Sequence, residues 1–237
     1  MKSEKKIWLV AVAYWLLGSV LICLLSPLTI ADSTARYAPM ADAFARGDWY
    51  FAFHPRFGVL FQCLAGSISY LTGLRGDQSC QVTSLLFLSL AAVPLWHLAK
   101  ALFGERVAWW SVVALLVCDD FTRYALDGLR DVGKCLAFAL LGLGAVRQKS
   151  LWFGLGLFVL VTLVSYGFAV ASALLVLWYG YRLLLVPRPL SLIPHPSSLI
   201  PFLCYSLAVA AVTVMVHAYT GHWLPAPHFI SIFGRWL

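Results

Sequence analysis

The chain has 237 residues, of which 62% are hydrophobic and only 11% are charged, and its mean hydropathy is +0.85. Soluble domains carry about 25% charged residues, so this composition excludes a water-soluble domain and indicates a membrane protein. The apolar runs are continuous and do not alternate with polar residues, which favours membrane-spanning helices over a transmembrane barrel. The net charge of +7 does not indicate nucleic-acid binding, because the basic residues are spread between hydrophobic runs.

The hydrophobic runs predict an all-α polytopic membrane module of about seven transmembrane helices over residues 1–237. The first helix covers about residues 7–30, and we expect it to be uncleaved because no A-x-A site ends it. The segment 151–186 is too long for one helix and is divided near Ser165-Tyr166-Gly167. The other spans are predicted at 80–99, 107–118, 132–146 and 199–219, with loops at 31–79, 119–131 and the proline-rich 187–198.

The distribution of basic residues predicts the orientation of these spans, because Lys and Arg are enriched in short cytoplasmic loops. With the N-terminus inside, only Glu4 and Glu105 oppose the inner basic residues. The outer side then holds eight of the ten acidic residues, all within 31–79 and 119–131. The inner basic residues are Lys2, Lys5, Lys6, Lys100, Arg106, Arg147, Lys149, Arg182 and Arg188.

The first outer loop, residues 31–79, is predicted to contain two short helices at the membrane interface. Asp32 is a candidate N-cap for the first of them, and Gly47 is a candidate C-terminal stop. The apolar stretch that follows is interrupted by Gly58, Gly66 and Gly73, which favours an interfacial helix over a spanning one.

The order of short motifs resembles the GT-C membrane glycosyltransferases, the superfamily of protein mannosyltransferases and aminoarabinose transferases, and is most similar to bacterial family 39-like members. The motifs are A-D-S-T-A-R-Y after the first helix, then A-R-G-D-W, F-H-P-R-F-G-V-L-F, L-A-K-A-L-F-G-E-R-V-A and L-R-D. The resemblance covers roughly residues 7–146. It implies transfer of a sugar from a polyprenyl-phosphate donor on the outer face, with inversion at the anomeric carbon, to an acceptor of unknown class.

The resemblance implies two catalytic carboxylates. Asp32 matches the acidic residue at the end of the first helix and is the expected base, whereas Asp131 in L-R-D matches the second acidic position. The alternative for Asp32 is a helix cap that pairs with Arg36 one turn later. Many relatives carry an Arg and an acidic residue before a glycine near the sixth helix, and Ser165-Tyr166-Gly167 lacks those charges.

The phosphate that leaves the sugar during transfer must be stabilised by positive charge. The guanidinium group of arginine is well suited to bind phosphate, because its N–H donors lie in one plane. The candidates for substrate binding are Arg36, Tyr37, His54, Arg56, Arg130 and Lys134, with Arg123 as a further cation. Lys134 lies inside the outer end of an apolar helix, where a charge is either functional or extends to the interface. The alternative for Arg130 and Asp131 is a structural role, in which Arg130 forms an ion pair with Asp131 or with Asp127.

A divalent metal is a weaker expectation, with Asp119 and Asp120 as ligands together with Asp32 or His54. We favour the alternative that Asp119 and Asp120 belong to a solvated loop at a helix end. Aromatic residues of the first loop are candidates for contact with a sugar or isoprenoid, although aromatic side chains also gather at bilayer interfaces without a ligand. They are Tyr37, Trp49, Tyr50 and Phe53.

Six cysteines are scattered without a CxxC pair, which gives no zinc signature. Cys63 and Cys80 are candidates for an outer disulfide, and the other four have the pattern of small hydrophobic residues buried in the membrane.

We expect the glycosyltransferase to lie in a bacterial inner membrane, where it contacts membrane lipids and its lipid-linked donor. Two other functions are alternatives to it. One is a non-catalytic, lipid-binding or scaffold protein of the same fold, which the short chain favours. The other is a transporter, which the absence of Asp, Glu, Lys and Arg from the predicted helix centres disfavours.

Overall fold

A computed structural model describes residues 2–25, 29, 33–53, 59–163, 167–185 and 196–221, and their secondary structure is entirely helical. A π-helical turn, Ser33–Tyr37, precedes α2, and a 3-10 turn, Arg130–Val132, precedes α8. The α-helices are α1 (Lys2–Leu25), α2 (Ala38–Ala45), α3 (Trp49–Ala52), α4 (Val59–Thr72), α5 (Gly76–Phe103), α6 (Glu105–Val117), α7 (Asp119–Leu126), α8 (Gly133–Val146), α9 (Ser150–Leu163), α10 (Gly167–Leu185) and α11 (Pro196–Thr220).

Three helices are long and apolar enough to cross a membrane: Ser3–Leu25, Gly76–Phe103 and Leu199–Ala218. The prediction of about seven spans is not confirmed, because several of the apolar helices are short. α6 has 13 residues, and α8 and α9 have 14 each. At 1.5 Å per residue these helices reach only about 20 Å, less than the ~30 Å hydrocarbon core. The segment 151–186 does not form one straight helix, because Phe153 of α9 stacks on Trp178 of α10; the predicted break at Ser165 and Tyr166 lies outside the described residues.

The central helix is α5, which packs antiparallel to α1 and is surrounded by α4, α6 and α8. Lys100 near its C-terminus contacts Ser3, and Leu85 lies against Gly18 of α1. Trp96 is fully buried in the resulting core. α8 and α9 form a second tight antiparallel pair, in which Gly144 approaches the backbone of Phe153 too closely for any side chain.

The antiparallel order gives the bundle two chemically different ends. The basic end contains the C-terminus of α5 and the exposed cations Lys5, Lys6, Arg106, Arg147 and Lys149. The loop end contains the N-terminus of α5 together with α2, α3, α7 and both turns. The two segments that the sequence assigns to one side of the membrane therefore lie at one end of the bundle.

The loop 119–131 is more regular than predicted, because α7 occupies residues Asp119–Leu126. Both α2 and α7 end in the same way, with a glycine of positive φ: Gly47 at 78° and Gly128 at 69°. After α2, the Gly47 N–H donates to the Phe44 carbonyl and the next N–H donates to the Ala43 carbonyl. This pattern is a Schellman motif, and it confirms Gly47 as the stop of the first short helix.

Candidate functional site

The two outer segments meet where the π-helical turn packs against the turn that follows α7. A Cβ atom added to Gly128 would lie 2.9 Å from the Ser33 hydroxyl and 3.1 Å from Cβ of Cys80 on α5. Ser33 is completely buried there. The close approach brings Arg130 and its neighbours next to Tyr37, one turn beyond Ser33.

Tyr37 and Arg130 are predicted site residues from separate segments of the chain, and the structure brings them into contact. The guanidinium carbon of Arg130 lies 5.6 Å from the centre of the Tyr37 ring, a cation–π distance. Arg130 Nη1 also donates to the carbonyl of Leu163, the last residue of α9, at 3.4 Å. The half-buried guanidinium thus joins the first outer segment to the end of α9.

Asp131 forms an ion pair with Lys134, one turn along the chain. The Asp131 side chain is 44% exposed and that of Lys134 is 28% exposed, so both remain accessible from outside the bundle. Asp127 pairs with Arg123 at 4.0 Å. Arg130, Asp131 and Lys134 thus place two cations and one carboxylate within a single helical turn.

Two buried polar side chains of α5 hold the α7–α8 connection in position, and sequence reasoning missed both. Gln81 Nε2 donates to the Leu126 carbonyl at 2.6 Å, and Ser84 Oγ donates to the Leu129 carbonyl at 3.0 Å. The available signal was the polar run Q-S-C-Q-V-T-S at the start of an otherwise apolar helix. Buried polar groups in such a helix need partners, and here the partners are one carbonyl at the end of α7 and one in the connection to α8.

Asp42 has a structural role at the N-terminus of α5. A Cβ atom added to Gly76 would lie 2.7 Å from Asp42 Oδ1 and would collide with the Ala38 carbonyl. The carboxylate therefore lies against the first turn of α5, where the exposed N–H groups and the helix dipole favour negative charge. Asp42 accordingly stabilises the contact between α2 and α5.

Three of the predicted site residues, Asp32, His54 and Arg56, lie outside the described residues. Arg36 is exposed on the π-helical turn beside Tyr37. The catalytic role of Asp32 and the binding roles of His54 and Arg56 therefore remain predictions from sequence.

Asp119 and Asp120 are both exposed in the first turn of α7, a position that favours carboxylates without any ligand. Within the described part of the chain, no three His, Cys, Asp or Glu side chains group as a metal site. Their predicted metal-binding partners, Asp32 and His54, fall outside it.

The aromatic residues of the first loop divide into buried and exposed sets. Tyr37 is 4% exposed and Phe53 is 2% exposed. Phe53 packs against Val212 and Val216 of α11, so its proposed contact with a ligand is corrected to a core contact. Trp49 and Tyr50 are exposed and remain available to a lipid or a sugar.

The predicted disulfide between Cys63 and Cys80 is wrong, since both are free thiols. Cys80 is fully buried in the core around α5, where it acts as a small apolar residue. Cys23, by contrast, is exposed on α1.

No protein-family model, curated protein or solved structure matches the chain. The candidate site therefore rests on the contacts of Tyr37, Arg130, Asp131 and Lys134 and on the chemistry of their side chains.

Proposed function

We propose that the protein is a membrane glycosyltransferase that takes a sugar from a polyprenyl-phosphate donor at the loop end of the bundle. The observation that carries the proposal is the contact between Tyr37 and Arg130, beside the Asp131–Lys134 pair. A membrane setting is supported by three helices that are long and apolar enough to span a bilayer. The bacterial inner membrane and an outward-facing site belong to the proposal.

The chemistry requires a cationic group beside the leaving phosphate and a base beside the acceptor. Arg130 and Lys134 supply positive charge and hydrogen-bond donors for the phosphate. Asp32 is the proposed base: it removes the proton of the acceptor hydroxyl, whose oxygen then attacks the anomeric carbon. The bond between that carbon and the phosphate oxygen breaks, and polyprenyl phosphate leaves with the electron pair. Asp131 is proposed to orient Lys134 or the acceptor.

Donor binding is tested by native mass spectrometry of the full chain in detergent, with added polyprenyl phosphate as the probe. We expect Arg130→Ala and Lys134→Ala to lose most of the bound carrier. Arg75→Ala is the matched control, because Arg75 is an exposed cation at the same end that is paired with Asp77. Equal retention in all three variants would remove Arg130 and Lys134 from the site.

Catalysis is tested separately, with polyprenyl-phosphate sugars extracted from membranes and release of free carrier as the readout. Loss of a general base typically costs about 10²–10⁴-fold in rate. We expect Asp32→Asn to lower release by at least about 100-fold while carrier retention is unchanged.

A second candidate function is a non-catalytic membrane protein that binds the same carrier. It is favoured by one observation, that the Asp131 carboxylate is already engaged by Lys134. Carrier retention without any release of sugar, in the native chain and in Asp32→Asn alike, would support this function over the enzyme.

A further inference from the structure

A second candidate binding site lies at the basic end, away from Arg130 and Lys134. A cavity of about 440 Å³ opens between the end of α8, the start of α9 and the second half of α10. Its volume lies in the range of small-molecule sites, about 300–1,000 Å³. Its apolar lining comes from Ala145, Val146, Phe153, Leu174, Leu177 and Trp178.

The inner wall of this cavity is aromatic and buried. The rings of Phe153 and Trp178 stack with centroids 4.3 Å apart and an interplanar angle of 17°. Both residues are nearly buried, at 5% and 4% exposure. The outer lining is open, because Val146 and Leu177 are 42% and 67% exposed. An apolar chain can therefore enter from the side of the bundle and lie against the stacked rings.

The rim of the cavity at the basic end is polar. Gln148 has a positive φ of 53°, and its amide Nε2 donates to the Ala145 carbonyl at 3.1 Å and lies 3.2 Å from the Tyr181 hydroxyl. Tyr181 is 45% exposed. An amide and a phenol at the edge of an apolar cavity suit a molecule with an apolar tail and a polar head, as tyrosines at bilayer interfaces do.

The positive charge around the rim favours a ligand with an anionic head group. Gln148 lies between Arg147 and Lys149 in the chain, and both cations are exposed. The opposing acids of this end are Glu4 and Glu105, and Glu105 is engaged by Lys100 at 2.9 Å. Basic pockets between membrane helices attract anionic lipid headgroups.

We propose that this cavity binds one anionic phospholipid. One acyl chain lies against Phe153 and Trp178, and the phosphate lies beside Gln148 and Lys149. The site is independent of the proposed glycosyltransferase function, because it shares no residue with the site at the loop end.

Native mass spectrometry of the full chain in detergent tests the proposal, with phosphatidylglycerol and phosphatidylcholine of equal chain length as competing probes. We expect one phosphatidylglycerol to be retained in preference to phosphatidylcholine. Leu177→Trp should lower retention roughly tenfold by filling the cavity. Leu207→Trp is its control, because Leu207 is equally exposed, at 64%, on α11 and does not line the cavity.

The contribution of charge is tested with Lys149→Gln, which should reduce the preference for phosphatidylglycerol roughly fivefold. Arg106→Gln removes an exposed cation from the same end and should leave that preference unchanged. Equal loss of lipid in the two tryptophan variants, or equal retention of the two lipids by the native chain, would overturn the proposal. Displacement of the phosphatidylglycerol by polyprenyl phosphate would overturn it too, because the occupant would then be the carrier.

Discussion

Arg130 extends its guanidinium group over the ring of Tyr37, with 5.6 Å between the guanidinium carbon and the ring centre. The two residues come from separate loop-end segments, and the six helices from α2 to α7 lie between them in the chain. The edge of Phe61 approaches the same tyrosine, with ring centroids 5.7 Å apart, so the position of Tyr37 is fixed by the core around α5. The loop-end site is thus built on a buried aromatic residue.

A double-mutant cycle on Tyr37 and Arg130 measures this contact. Tyr37→Leu and Arg130→Ala each remove one partner, and we expect a coupling energy of about 0.5–2 kcal/mol in the free energy of unfolding, because the pair is partly desolvated. The measurement is denaturant unfolding in detergent of the native chain, both single variants and the double variant. Strictly additive effects of the two substitutions would show that the ring and the guanidinium do not interact.

Exchanging the charges of Asp131 and Lys134 separates stability from function at this site. Asp131→Lys alone places two cations one turn apart and should destabilise the chain, whereas Asp131→Lys combined with Lys134→Asp restores the pair. We expect the exchange to recover about 0.3–1 kcal/mol of stability, the size of a partly exposed helical pair. The exchange should not recover sugar transfer, because the carboxylate has moved. Thermal unfolding measures the stability, and carrier release measures the transfer. Recovery of both would make Asp131 a structural residue only.

Gln81 supports the connection that carries Arg130, so its removal should loosen that connection before the rest of the bundle. Gln81→Leu leaves the Leu126 carbonyl without its 2.6 Å partner, and we expect a loss of about 1–3 kcal/mol. Hydrogen exchange should rise first in α7 and in Arg130–Val132. Thr83→Val is the control, since Thr83 is buried on the same helix and donates only to the carbonyl of Ser79 within it. A uniform rise in hydrogen exchange across α5 in the Gln81→Leu variant would contradict the local supporting role of Gln81.

Two glycine substitutions test the packing of α2 on α5. Gly76→Ala forces the new methyl group against the Ala38 carbonyl and Asp42, and we expect it to destabilise the chain by about 1–3 kcal/mol. Gly180→Ala in α10 meets no atom within 4 Å and should instead stabilise its helix by about 0.5–1 kcal/mol. Thermal unfolding of both variants is sufficient, and a neutral Gly76→Ala would show that α2 moves away from α5 at little cost.

The basic end contributes a small pH dependence through Glu105. A hydrogen bond from Lys100 holds the pKa of the Glu105 carboxyl below its ordinary value. Because the folded-state pKa is lowered, the contribution to stability is complete above the ordinary value of 4.5 and is lost as the pH falls through the lowered pKa. Glu105→Gln should abolish this component in unfolding measured from pH 7 to pH 3. An unchanged pH profile in Glu105→Gln would show that the exposed pair contributes nothing.

The all-helical class, the presence of two helices within 151–186 and the stop at Gly47 follow from the sequence alone. These features depend on residues close in the chain: runs of apolar side chains, and a glycine that alone reaches a positive φ without strain. The same local reasoning does not establish the number of spans: about seven are predicted, and three of the described helices are long and apolar enough to cross a membrane. It also missed α7, which begins directly after Cys118 at the end of α6.

Which side chains are in contact depends on the tertiary structure. Tyr37 faces Arg130, Gln81 holds α7, Phe53 is buried against α11, and Cys63 and Cys80 remain free thiols. Each of the first three depends on how elements far apart in the chain pack against one another, where a rotation of one residue about a helix axis would present a different side chain. The residues on each face of a helix can be read from a single sequence. Which other helix that face contacts depends on close packing in three dimensions.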